Sequence, residues 1–133
     1  MAYTHTWGLT FRSGGQSVSS TTETVTASGE ANISETIPLD SEDFVINMAI
    51  DISVLKSIFM LASKDMTLYT NDDHDGTPAH TIELKAGQAL RWTVNSAEAS
   101  PFAADPADVT DVRVTNVGAA GTLQIWTLQD ATP

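Results

Sequence analysis

No cysteine occurs in the 133 residues of the chain. That excludes a disulfide scaffold, a thiolate zinc site and a cysteine nucleophile. Bases are also scarce: 6 Lys and Arg stand against 17 Asp and Glu, for a formal net charge of −11. Between Met1 and Leu55 the only Lys or Arg is Arg12. A surface this acidic repels phosphate backbones, so nucleic-acid binding is not expected. Long apolar runs are missing too. The window Phe44–Ala62 is interrupted by Asn47, Asp51 and Lys56, and in lipid each charge there would cost about 2.5–3.5 kcal/mol. No membrane span is expected. "MAYTHTWGLTF" has neither a basic nor an apolar leader segment and does not read as a signal peptide. A soluble protein made in the cytosol is expected.

Further absences concern chemistry. There is no G-x-S-x-G elbow, no Gly-rich phosphate loop and no internal repeat. No stretch of ten or more residues carries a 3.6-residue apolar stripe, and "SVLKS" (53–57) offers a turn of helix at most.

What is present is alternation. In "YTHTWGLTF", Tyr3, His5, Trp7, Leu9 and Phe11 fall on one face and Thr4, Thr6, Gly8 and Thr10 on the other. In "FVINMAIDI", Phe44, Ile46, Met48, Ile50 and Ile52 alternate with Val45, Asn47, Ala49 and Asp51. Period two is the signature of a half-buried strand. "SIFMLA" (57–62) is continuously apolar, as a strand covered on both faces should be. Met66, Leu68 and Thr70 oppose Thr67 and Tyr69. "HTIELKAGQALRWTV" predicts a hairpin turning near Ala86-Gly87, with Ile82, Leu84, Leu90, Trp92 and Val94 inward. "DVRVTNV" and "GTLQIWTLQ" supply Val112, Val114, Leu123 and Ile125, with a turn at 118–121. The Ser/Thr-rich region 17–37 predicts two solvent-facing strands joined at Ser28-Gly29, with a flexible loop as the alternative. "ASPFAADPAD" (99–108) reads as a long loop. With 41% hydrophobic residues the chain can bury a core. The expected fold is all-β: residues 1–133 as a single antiparallel β-sandwich domain, jelly-roll-like.

Candidate chemistry gathers in "TNDDHDGTPAH" (70–80). Asn71, Asp73, Asp75 and Gly76 match the first half of a helix-flanked calcium loop, but position twelve is Ile82 rather than a bidentate Glu. Asp and Asn also hydrogen-bond their own backbone in turns, so a polar loop is expected there. His74, His80 and His5 are the only histidines, too few and too scattered for a zinc site to be expected. The remaining acids fall mostly in turns or on outward strand positions. No catalytic residue, metal ligand or cofactor is expected.

The tryptophans carry more. Trp7 and Trp92 share the inward parity of their strands. Trp126 and Leu128 have the opposite parity to Leu123 and Ile125, and Tyr69 is outward by the same argument. Large exposed apolar side chains mark contact surfaces. The alternative is a second covered face on that strand.

"DFVINMAIDISVLKSIFMLASKDMTLYTND", "TIELKAGQALRWTVNS" and "ADPADVTDVRVTNVGAAGTLQIWTLQDATP" together resemble small head proteins of tailed bacteriophages, of the cement or decoration type. The resemblance runs from about Phe44 to Pro133 and rests on strand order and phrases, with no catalytic signature. It implies a jelly-roll-like sandwich on the outside of an icosahedral capsid, in the virion, made in the host cytoplasm. It implies bridging of neighbouring major capsid protein subunits, often as a homo-oligomer, with no cofactor, nucleic acid or membrane. Tyr69, Trp126 and Leu128 are then the expected contacts with subunit or capsid. The runner-up is a carbohydrate-binding or host-adhesion module on the same sandwich, with outward aromatics stacking on sugar rings.

Overall fold

Alternation at period two needs something to cover each apolar face, and two stacked sheets satisfy that need. The computed structural model describes residues 2–46, 48–51, 53–70, 80–96, 100–101, 109 and 112–130. The strands are β1 (Tyr3–Ser13), β2 (Gln16–Ala27), β3 (Gly29–Ile37), β4 (Ser41–Ile46) and β5 (Leu55–Ala62). They continue with β6 (Met66–Thr70), β7 (His80–Leu84), β8 (Leu90–Thr93), β9 (Val112–Asn116) and β10 (Gly121–Gln129). One sheet runs β3-β10-β5-β8, the other β4-β9-β6-β7, and β1-β2 form a separate ribbon. Every strand pair is antiparallel. The protein is an antiparallel β-sandwich. No helix among the described residues is long and apolar enough to cross a membrane.

The core lies between the sheets. Ile37, Ile58, Met60, Leu123 and Ile125 face Ile46, Leu68, Ile82, Val112 and Val114, all buried. Burying each such side chain stabilises the fold by about 1.5–3 kcal/mol. Phe44, Leu90 and Trp92 pack at its margin. On β5 the outward Ser57 is buried as well as the inward Ile58 and Met60. The double cover predicted from the continuous apolar run holds at Ser57 only, since the outward Phe59 and Leu61 are half-buried.

Two expectations change. "HTIELKAGQALRWTV" is not a hairpin: β7 pairs with β6 and β8 with β5, so Ala86-Gly87 arches from one sheet to the other. Gly87 has φ 73, a left-handed conformation that glycine adopts without penalty. The arch is tied to the neighbouring β5–β6 crossing, where Ala86 N–H donates to Asp65 Oδ1 at 2.8 Å and Gly87 N–H to the Ala62 carbonyl at 2.9 Å. Val94, expected inward, lies past the end of β8 and is exposed. The two strands expected to meet at Ser28-Gly29 both exist; β2 returns along β1, and β3 joins the sandwich beside β10. In "SVLKS" only Ser53 and Val54 form a turn; Leu55–Ser57 are already the start of β5. The expected loop at 71–79, and most of 99–108, lie outside the described residues.

Candidate binding surface at the ribbon and sheet

The ribbon is built from a two-residue turn. Gly14 and Gly15 have φ 58 and 84, the pair of positive values that a type I′ hairpin turn requires. Tyr3↔Ala27, His5↔Val25, Trp7↔Glu23, Leu9↔Thr21 and Phe11↔Ser19 are direct partners, and partners share a face. The opposite face is a hydroxyl ladder that includes Thr4, Thr6, Thr10, Ser20, Thr24 and Thr26. Thr4 and Thr26 touch through their hydroxyls at 3.2 Å.

The apolar face of the ribbon lies on the outer side of the β3-β10-β5-β8 sheet. In cross-strand register that sheet presents the row Glu30–Leu128–Ser57–Thr93. Val25, Ala27 and Leu128 form a small buried cluster with Trp7 against it. Leu128 is 0% exposed, so the expectation of Leu128 as an outward contact is corrected. It does point away from the main core, but β2 covers it. The covered second face weighed for this strand is realised at Leu128 and stops there.

Two polar side chains fasten the ribbon, each through two contacts. His5 Nε2 lies 3.1 Å from Glu30 Oε2, and His5 Nδ1 lies 3.1 Å from Ser57 Oγ. An ionised carboxylate only accepts, so Nε2 carries the hydrogen, and in the neutral ring the Ser57 hydroxyl donates to Nδ1. Further along, Glu23 Oε1 accepts from Thr93 Oγ1 at 2.7 Å and from Asn95 Nδ2 at 2.9 Å. These bonds, Thr93 first, hold the Glu23 carboxyl below its ordinary value of 4.5.

Ser57–His5–Glu30 has the donor order of a nucleophilic trio. It cannot act as one, because Ser57 is 0% exposed beneath the ribbon and sits on a strand paired on both sides. No substrate carbonyl can reach the hydroxyl. The trio is a clamp between β1, β3 and β5, residues that sequence spacing could not bring together. No group of three or more His, Asp or Glu able to hold a metal occurs among the described residues.

Past this clamp the ribbon overhangs. Leu9 still borders β8, near Arg91 and Trp92, but Leu9 is 51% and Phe11 61% exposed. The distal segment also differs in charge. Residues 1–22 contain no acid and one base, Arg12, while all 17 acids follow Thr22. An isolated two-stranded hairpin is marginally stable in water, so a projecting tip with two bare apolar side chains is suited to engage a partner.

Beside the ribbon the next row of the sheet is open: Asn32–Trp126–Phe59–Arg91. Trp126 is 38% exposed, as its parity predicted. A groove of about 370 Å³ runs between this row and the edge of β1, lined by Thr4, His5, Thr6, Trp7, Phe59 and Trp126. His5 meets Trp126 and Trp7 edge-on at centroid distances of 6.5 and 6.4 Å, and Trp7 meets Phe59 at 5.9 Å. The Trp7 indole nitrogen is buried and has no acceptor among the described residues. Tyr69 lies elsewhere, on the outer face of the second sheet in the row Val45–Arg113–Tyr69–Thr81. Tyr69 is half-buried there, while Val45 is 57% exposed. The two expected contact aromatics therefore occupy opposite faces of the sandwich.

No family model matches the chain, and no curated protein matches it. Among solved structures, a chain described with "Bacillus endospore appendages form a novel family of disulfide-linked pili" is similar at TM-score 0.41 and 15% identity. The likeness covers 77% of this chain and 88% of that one. At that level it says nothing about what this chain does.

Proposed function

We propose that this chain is a non-enzymatic structural virion protein. It binds the outside of an icosahedral phage capsid and bridges neighbouring major capsid protein subunits. The observation that carries the reading is the acid-free ribbon tip, with Leu9 and Phe11 bare, projecting from an otherwise acidic sandwich. Bridging needs two contacts per molecule. The Val45–Tyr69 face supplies one, and the tip, reaching past the β8 edge, supplies the other. Each contact can be weak, because a capsid lattice offers the second site at high effective concentration. A protein that binds only the assembled shell also stabilises it. The resemblance of its strand phrases to those of phage head proteins supports the same reading. So does strand order: counted from β3, the sandwich strands run 1-8-3-6 and 2-7-4-5, as two interleaved Greek keys do in a jelly roll.

The test is co-sedimentation of the purified protein with undecorated phage heads. Saturable binding at a fixed copy number per capsid subunit is expected, with heads more resistant to heat. Heads that pellet without the protein at any concentration would end the proposal.

A further inference from the structure

The open row beside the ribbon has a chemistry that shell contact through the tip and the Tyr69 face leaves unused. We propose that Asn32–Trp126–Phe59–Arg91, with the β1 edge at Thr4 and Thr6, is a binding site for a neutral saccharide. The site lies on the sheet opposite Tyr69, so a particle decorated through the Tyr69 face would display it outward.

Three observations lead there. The first is the order of groups along the row: amide, indole, phenyl, guanidinium, on four adjacent strands. With strands about 4.8 Å apart, the row spans roughly 14 Å, long enough for a short oligosaccharide. A pyranose offers an apolar face of C–H groups and a rim of hydroxyls. It needs an aromatic plate bordered by groups that both donate and accept. Trp126 and Phe59 are the plate. Asn32, Gln124 in the next row and the β1 edge at Thr4 and Thr6 are the border.

The second observation is rigidity. Trp126 is not a loose surface side chain. His5, itself bonded to Ser57 and Glu30, abuts it edge-on. Pre-ordering a contact side chain removes the entropy that binding would otherwise have to overcome. The groove's volume, about 370 Å³, falls at the lower end of the usual range for small-ligand sites, roughly 300–1,000 Å³.

The third is charge, which selects among sugars. Arg91 alone would favour an anionic sugar, but the chain carries −11, and that field opposes approach of an anion. Guanidinium N–H groups also donate to neutral hydroxyls. A neutral saccharide satisfies both.

The test uses the full chain on an array of neutral and sialylated oligosaccharides, followed by titration of the best ligand by tryptophan fluorescence. Binding to neutral glycans is expected, weakened about tenfold or more by Trp126→Ala and largely kept by Trp126→Phe. Thermal melts establish that both variants fold. A double variant, Leu9→Ser with Phe11→Ser, should bind the same glycans as the unaltered chain while losing phage heads, which separates this site from the shell contact. Absence of glycan binding, binding to sialylated glycans alone, or binding undiminished by Trp126→Ala would overturn the proposal. Loss of head binding in Trp126→Ala would likewise assign the row to protein contact and overturn it.

Discussion

Replacing His5 with alanine tests whether the ribbon is clamped as described. The substitution leaves the Ser57 hydroxyl without its partner in a site that is 0% exposed. A stranded buried hydroxyl destabilises by about 1–3 kcal/mol. Loss of the edge contacts to Trp7 and Trp126 adds about 0.5–1.5 kcal/mol for each pair. Glu30 loses a bond as well, but its side chain is 17% exposed and water can replace the imidazole. The expected loss is about 2–6 kcal/mol by urea denaturation. Early cleavage within the ribbon under limited proteolysis should accompany it. Ser57→Ala alone should cost less, since the imidazole keeps its bond to Glu30 and its contacts with Trp7 and Trp126. The double variant should be less damaged than the sum, because no stranded hydroxyl remains, giving a coupling of about 0.5–3 kcal/mol. A His5→Ala protein within about 0.5 kcal/mol of the unaltered chain, the range of ordinary surface substitutions, would refute the clamp. So would strictly additive single variants.

Other expectations follow from the same junction. Glu23 has a carboxyl pKa lowered below 4.5 by its bonds to Thr93 and Asn95. Its contribution to ribbon docking is therefore complete above 4.5 and lost as pH falls through the lowered folded value. Protection of the ribbon from an acid-active protease should decline in that window, and Glu23→Gln should flatten the decline. Leu128→Ala empties the small cluster under β2 and should destabilise by about 2–5 kcal/mol in denaturant melts, although Leu128 does not belong to the main core.

The sandwich was legible because its signal is local. Phe44, Ile46, Met48 and Ile50 announce a covered face by alternation alone, whereas "SIFMLA" loses the alternation although its outer face is covered only at Ser57. Pairing was less legible. Ala86-Gly87 has the residues of a tight turn, and the same residues serve an arch between sheets. Only the sheet that each flanking strand joins tells the two apart. Ser28-Gly29 marks where two strands meet, but not which partner each takes: β2 pairs with β1 and β3 with β10. Trp126 and Leu128 have the same parity and opposite fates, because the ribbon covers one row of the sheet and ends before the next. The clamp was not legible. His5, Glu30 and Ser57 lie 25 and 52 residues from one another along the chain, and no spacing rule joins them. The tip did leave a signal: an acid-free first 22 residues in a chain of net charge −11.

The most direct measurement is the number of copies bound per undecorated phage head for the unaltered chain and for the Leu9→Ser, Phe11→Ser double variant. Both side chains are exposed, so the variant should match the original in urea denaturation to within about 0.5 kcal/mol. The account predicts saturation at a fixed stoichiometry for the unaltered chain and little or no bound variant. Equal occupancy by both proteins would contradict it, because the tip would then carry none of the attachment.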